Sequence, residues 1–368
     1  MSKRIVSMAL ACACALPPLA QADSSFTISG FFDVGIENLS IGNANPARAN
    51  TSELRMFDDS SRIDFNVKED LGGGLAAIGQ LDLRTNLPAG TISASGNDWV
   101  GLDSASWGQV VVGRSDLHYF YTPDAIGDKG PQDARSIGIL GYVSTGAPIA
   151  GDTRTPNVVR YASPRWGLLD FVLAYSTDPY GSTGSMTPEP TDTNQKAYAW
   201  NLAPQLHGGN WTAGYSYWKA EAPAAAATAP NQRGDRVWGD YLWRGFDFGL
   251  AWDRSELTAA AGGATLAKRD AWSIPIRYVT GPHTVYFHYT VAQDDDVLGS
   301  GTGAHMGAIG YAYSLSKLTS LGLTYARINN DAHAAYNLYN SVAGGTSDAA
   351  ISPGEDPSIV QFNVRHAF

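Results

Sequence analysis

The sequence predicts an all-β chain: a sixteen-stranded antiparallel transmembrane β-barrel. Three observations carry that prediction. Runs of period-two alternation, the mark of a strand whose side chains point to opposite faces, recur sixteen times between turn residues. The connections between them are short at one end of the runs and long at the other. Beyond the first two dozen residues no stretch stays apolar for anything near the ~18 residues of a membrane helix, whereas a barrel strand needs to be apolar on one face only.

The chain opens on Lys3 and Arg4, an apolar run from Ile5 to Leu16, and the small-x-small triplet Ala20-Gln21-Ala22. This is the pattern of a secretory signal cut before Asp23, and its apolar run is shorter than the ~20 residues a spanning helix needs. Residues 1–22 are therefore assigned to the signal and 23–368 to the barrel. Both cysteines, Cys12 and Cys14, fall in the signal, so the exported chain would hold neither thiol nor disulfide. Removing 22 residues from 368, two of them cations, leaves 346 residues and takes the formal charge from −10 to −12. An acidic chain without a basic cluster excludes nucleic acid as a partner.

The strands follow in order: Phe26–Asn38, Ser61–Lys68, Leu75–Arg84, Asn97–Leu102, Gln109–Arg114 and Val158–Ala162, then Leu168–Ser176, Ala197–Leu202, Trp211–Lys219 and Asp235–Trp243. Phe246–Arg254, Arg269–Val279, His283–Ala292, His305–Ser314, Leu318–Ile328 and Ile359–Phe368 complete the series. Phe246, Phe248, Leu250 and Trp252 alternate with Asp247, Gly249, Ala251 and Asp253, which sets the lipid-facing phase. Short turns lie at 70–73, 104–106, 163–166, 244–245, 280–282 and 315–317, and long connections at 43–60, 115–157, 178–195, 220–234 and 329–357. A soluble domain seldom carries structureless loops of that length. In the last strand Val360, Phe362, Val364 and Phe368 share one face while Gln361, Asn363 and Arg365 share the other. A closing strand of this kind that ends on Phe looks like that of bacterial outer-membrane barrels, where the terminal aromatic is the signal read by the barrel-assembly machinery.

Several segments resemble the general trimeric porins of Gram-negative bacteria. They are the stretch from Ser61 to Leu75, Trp99-Val100-Gly101-Leu102 with Trp107 to Arg114, Val159 to Pro164, and Tyr313 to Thr319. The resemblance implies a homotrimeric channel in the outer membrane, in contact with membrane lipid and lipopolysaccharide and passing small hydrophilic solutes. It implies no cofactor and no metal. It also implies that the long third loop, here 115–157, folds inward and narrows the pore, its acids facing a ladder of arginines.

Parity proposes the members of that constriction. Arg62 lies between Ile63 and its preceding strand residue, in the phase opposite Ile63 and Phe65. Arg84 shares phase with Asp82, Arg160 lies between Val159 and Tyr161, and Arg114 is assigned to the phase opposite Val110 and Val112. These four form the basic wall. The acidic side is assigned to Asp64 and Asp82 with Asp116, Asp124, Asp128 and Asp133, among which Lys129 and Arg135 also occur. Cations facing carboxylates set a transverse field that orients dipolar solutes, and rings of charge set ion preference. Two departures from the family pattern lean toward cations: Gly96-Asn97-Asp98 stands where an arginine is usual, and Asp64 where a glycine is common.

The alternatives are a porin preferring sugars or small acids, with Trp107, Trp218 or Trp238 as stacking platforms, an outer-membrane enzyme barrel, and a plugged structural barrel. No Ser-His motif stands at a recognisable local spacing. Asp294-Asp295-Asp296 reads as a solvated rim turn rather than a calcium loop. Inward faces rich in small residues argue for an open lumen.

Overall fold

The computed structural model describes residues 24–121, 134–149, 154–179, 197–222, 230–260, 263–339 and 350–368. The signal segment 1–22 and the loop residues Asp124, Asp128, Lys129 and Asp133 lie outside these ranges.

Sixteen antiparallel strands close into a barrel. They are β1 Ser24–Gly42, β2 in two runs Ser52–Asp58 and Arg62–Gly72, β3 Leu75–Asn86, and β4 in two runs Thr91–Ser93 and Asp98–Ser104. Next come β5 Gly108–Ser115, β6 Thr155–Ala162, β7 Leu169–Ser176, β8 Tyr198–His207, β9 Trp211–Glu221 and β10 Asn231–Trp243. The last are β11 Phe246–Thr258, β12 Thr265–Thr280, β13 His283–Ala292, β14 Ala304–Ser314, β15 Thr319–Asn330 and β16 Asp356–Ala367. Both runs of β2 pair with one edge of β1, and both runs of β4 pair with β3, so each pair of runs is a single interrupted strand. Every strand pairs with its sequence neighbours, and β16 returns to the free edge of β1 from Phe31↔Ala367 to Gly42↔Asp356. Closure removes the open edges that a membrane would leave unsatisfied.

All sixteen predicted strands are present, most of them longer than their alternation indicated. Ser52–Asp58 falls in a stretch read as loop from sequence; Leu54 and Met56 face outward there while Arg55 meets Glu37 of β1 on the inner side. In β8 the sequence reading ends the strand at Leu202, short of Pro204, which has no N–H to give to a ladder. The strand nevertheless continues to His207, and its register with β9 skips Ala203 and Pro204. A seventh short turn, 208–210, follows from that extension.

Outward phase is apolar on every side, with Ile28 and Ile36, Val100, Val112, Val237, Leu250, Ile309, Leu323 and Phe362 all exposed. Inward phase is where the structure departs from a uniformly polar lumen. Ala271, Ala292, Ala304, Ala308 and Ala326 of β12–β15 form a smooth seat filled by Ile139 and Leu140, from the single-turn helix α1 (Ile137–Leu140), and by Ala334, Tyr336 and Leu338 of the last long connection. A second cluster packs Leu117, Val143 and Ile149 against Val158, Ala174, Trp218 and Leu257. Small inward residues here receive loop side chains rather than open the lumen. Each buried Leu or Ile stabilises that docking by about 1.5–3 kcal/mol.

Candidate functional site

The charges that parity placed inward on β2 and β3 meet as cross-strand partners: Arg62 pairs with Arg84 and Asp64 with Asp82. Like charges directly opposite repel, and Asp82 resolves this by engaging Arg84 two residues along its own strand and, more weakly, Arg62 on the diagonal. Asp82 Oδ2 lies 2.7 Å from Arg84 Nη2 and 4.0 Å from Arg62 Nη1. Arg84 is 2 % exposed, and its Nε and Nη1 have no hydrogen-bond partner among the described residues. Around them Phe31 of β1 lies between two guanidiniums, Arg62 at 4.6 Å and Arg365 at 3.4 Å from the ring centroid.

The break in β4 completes this wall. Gly96 N–H donates to the Asp82 carbonyl at 3.2 Å and Asn97 N–H to Asp82 Oδ2 at 3.3 Å, while Asp98 Oδ1 accepts from the Asp82 N–H at 2.8 Å. A Cβ on Gly96 would lie 2.0 Å from the Asp82 carboxyl carbon, so only glycine lets the chain come this close. Asn97 then reaches across to the start of the third connection: its Nδ2 donates to Asp116 Oδ2 at 2.6 Å, and its Oδ1 accepts the Asp116 N–H at 2.7 Å.

Asp116 is therefore held beside the arginines of this wall. Arg154, near the other end of the same connection, sits 3.3 Å from Asp116 Oδ1, and Tyr119 donates its hydroxyl to the same oxygen. Burial pushes the Asp116 carboxyl up, but Arg154 and the bonds from Asn97 and Tyr119 outweigh it and hold the group below the usual carboxylate range. Arg154 is pushed down by burial, yet its acidic neighbours leave it above the usual guanidinium value. Arg160 donates from Nη2 to Gln109 Oε1 at 2.7 Å. Strict alternation from Val110 and Val112 would put Arg114 on their lipid face. The left-handed Gly113 (φ 146°), at a register shift before Ser115, breaks that alternation. Arg114 ends within electrostatic reach of Asp98, Asp116 and Arg154.

On the far side the described parts of the third connection lie against inward side chains of β9–β13. Asp253 of β11 accepts from Arg236 of β10 (Nε, 2.9 Å) and Arg269 of β12 (Nη1, 2.6 Å), and Ser255 donates to it at 2.8 Å. His118 Nδ1 meets Ser216 Oγ at 2.8 Å, and its Nε2 is 3.9 Å from Asp253. Burial lowers the His118 imidazole to about 4; the Asp253 carboxylate opposes that shift and Arg236 reinforces it. His288 Nε2 meets the Ala134 carbonyl.

Of the sequence-predicted residues, Arg62, Arg84, Arg114, Arg160, Asp64, Asp82 and Asp116 lie on or beside the β2–β6 wall. Asp124, Asp128 and Asp133 are outside the described residues. Phe368 exchanges both backbone hydrogen bonds with Gly30 at 3.1 Å and packs its ring at a tilt against Phe32 on the lipid side, the centroids 5.1 Å apart. Arg154, Asp98, Arg236, Asp253 and Arg269 were not singled out from sequence. Arg154 sat within the loop interval without a strand phase to test, whereas Arg236, Asp253 and Arg269 satisfy the same inward parity as Arg62. Trp218 is 1 % exposed beneath Leu117 and Ile149, sealed from any sugar.

Comparison with known proteins agrees with this architecture. Residues 9–333 match the family model described as Gram-negative porin. The chain is 32 % identical over 180 residues to the major outer membrane protein P.IB of Neisseria meningitidis serogroup B, a stretch covering 48 % of this chain and 50 % of that one. It is 30 % identical over 176 residues to an outer membrane porin protein of Bordetella pertussis, covering 43 % and 44 %. The matched stretch thus spans about half the length of these relatives or less. Among solved structures, the anion-selective porin from Comamonas acidovorans superposes with a TM-score of 0.72 at 20 % identity, covering 94 % of this chain and all of that one. The trimer form of OmpT from Vibrio cholerae superposes at 0.68 with 13 % identity, covering 94 % and 99 %. With a closed sixteen-strand barrel and a family match over most of its length, this chain belongs to the Gram-negative porins, proteins of the outer membrane.

Proposed function

We propose that the chain forms a water-filled channel through the outer membrane for passive diffusion of ions and small hydrophilic solutes. The observation that carries this reading is the uneven lining of the barrel. Apolar loop residues fill the side of β12–β15, while the side of β2–β6 keeps a wall of guanidiniums and carboxylates that only a watery path would justify. Residues 1–22 act as the export signal, and three copies assemble, the state named for the similar OmpT of Vibrio cholerae.

The sign of selectivity follows from the wall. Strand β4 lacks the arginine of the family pattern, but Arg154 of the loop brings a guanidinium to Asp116, the acid that Asn97 of β4 holds. Asp82 and Asp116 are engaged by Arg84 and Arg154. Buried Nε atoms of Arg84, Arg114 and Arg160 have no hydrogen-bond partner among the described residues. Such a wall favours anions, contrary to the leaning of the sequence pattern.

The enzyme reading meets one specific feature, the Ser216–His118–Asp253 alignment. Its three side chains are fully buried, the His–Asp separation of 3.9 Å is too long for a hydrogen bond, and Asp253 is saturated by two arginines and Ser255. No substrate atom reaches it. Planar-bilayer recording under a KCl gradient tests the proposal: stepwise conductance in groups of three with an anion-directed reversal potential is expected. Folded protein that never conducts overturns it.

A further inference from the structure

We propose that Arg236, Asp253 and Arg269 form a carbonyl clamp that holds the third connection against the β10–β12 wall and so fixes the throat left on the opposite side. This inference rests on the channel reading. The two guanidiniums collect five loop carbonyls. Arg236 Nη1 lies 3.4 Å from the oxygens of His118 and Tyr119, and its Nη2 donates to Leu140 O at 3.1 Å. Arg269 Nε donates to Tyr142 O at 2.9 Å, and its Nη2 to Ile139 O and Leu140 O at 2.9 and 3.0 Å.

Three features set this apart from an ordinary buried ion pair. The acceptors bracket the loop, two on its outgoing limb and three on its return, so both sides of the stretch between Tyr119 and Ile139 are pinned to one point. The returning acceptors are the last two carbonyls of the single-turn α1 and that of Tyr142 just past it; Ile139 O also accepts the Tyr142 N–H at 3.2 Å, and the guanidinium takes its second lone pair. Two cations share one carboxylate, so the carbonyl oxygens supply the remaining compensation. Undocking the loop would force water to replace those carbonyls around two paired guanidiniums, so the docked loop and the cluster stabilise each other.

Arginine is needed because its rigid fork reaches several oxygens at once, which a lysine point charge does not. Arg236 and Arg269 are covered by the loop backbone whose carbonyls they bind, and Asp253 is held between them, so their charges do not line the path. The clamp therefore governs throat width and steadiness, not ion preference.

The test is Arg236→Lys and Arg269→Lys, which keep the charge and lose the fork, recorded beside wild type and Arg62→Gln in a planar bilayer under a KCl gradient. Expected is a rise of roughly twofold in conductance and open-channel noise, with an unchanged reversal potential, while Arg62→Gln shifts the reversal potential. A conducting wild type with both lysine variants indistinguishable from it overturns the clamp alone; a silent wild type overturns the channel reading as well. A reversal shift in the lysine variants as large as that of Arg62→Gln also overturns the clamp, because the arginines would then face the path. Amide exchange of the wild type needs no variant to fold: residues 137–142 should exchange as slowly as the strands, and rapid exchange there overturns the proposal.

Discussion

Arg62 and His118 illustrate two fates of a charged or titratable side chain inside this barrel. Arg62 is partly exposed, donates from Nε to the Ser60 carbonyl at 3.3 Å, and comes no nearer to Asp82 than 4.0 Å, so its field reaches the solute path. A unit charge at 4 Å in water is worth about 1 kcal/mol, and Arg62→Gln should therefore shift the anion-to-cation permeability ratio toward cations by up to about fivefold, read from the reversal potential. His118 is sealed beneath the loop and neutral at pH 7, its value lowered from 6.5 to about 4. In the window between those values the unfolded chain binds more protons than the folded one. Stability is thus unaffected above pH 6.5 and falls as the pH drops toward 4, by roughly 3 kcal/mol in all. Thermal melts of wild type at pH 7 and pH 4.5 should show that loss, and His118→Asn should remove most of the difference. An equal acid shift in the variant would assign it to other groups.

The broken strands carry as much of the site as the regular ones. In β4 the break at 94–97 brings Gly96 against Asp82 and lets Asn97 hold Asp116. Gly96→Ala must displace the Asp82 carboxyl, at a cost of about 1–3 kcal/mol for overpacking. A folded barrel with a lower melting temperature and a shifted reversal potential is expected; an unchanged reversal potential would mean that Asp82 plays no part in selectivity. The closing strand β16 teaches a different lesson. Phe368 lies on the lipid face against Phe32 and adds little to the lumen. Phe368→Ala should therefore lower the amount of barrel assembled in cells while protein refolded in detergent still conducts normally. Loss of conductance after refolding would make the aromatic a structural element rather than an assembly signal.

The molecule as a whole divides its interior. Apolar loop residues dock on the alanine seat of β12–β15 and loop carbonyls on the Arg236–Asp253–Arg269 cluster, whereas at the charged wall of β2–β6 the third connection presents the charged pair Asp116 and Arg154. Near the far rim Arg48 and Asn45 of the first connection bond Glu355 of the last, whose carboxyl they hold down at about 2 against the opposing effect of burial. That tie spans the seam between β1 and β16. Glu355→Gln should lower the temperature at which the barrel loses its compact electrophoretic form, by an amount that disappears below pH 2. If three copies assemble, the intact assembly should also run as one species until heated, and bilayer closures should come in thirds; single, independent steps would point to a monomer.

Strand number, strand phase and closing-strand polarity were legible in the sequence, because period two survives over most of each strand and needs no knowledge of neighbours. The inward phase of Arg62, Asp82, Arg84 and Arg160 followed from the same rule. Alternation failed where the backbone itself departs from it, at the Gly113 bulge and the breaks in β2 and β4, since a single bulged residue resets the faces beyond it. It was silent on Arg154, which has no strand phase, and on which inward residues line a water path and which receive a loop. Ala271 and Asp253 have the same parity as Asp82, yet only the packing of the third and last connections separates them. That assignment depends on contacts between residues more than a hundred positions apart, such as Arg269 with Tyr142, so only the tertiary structure decides it.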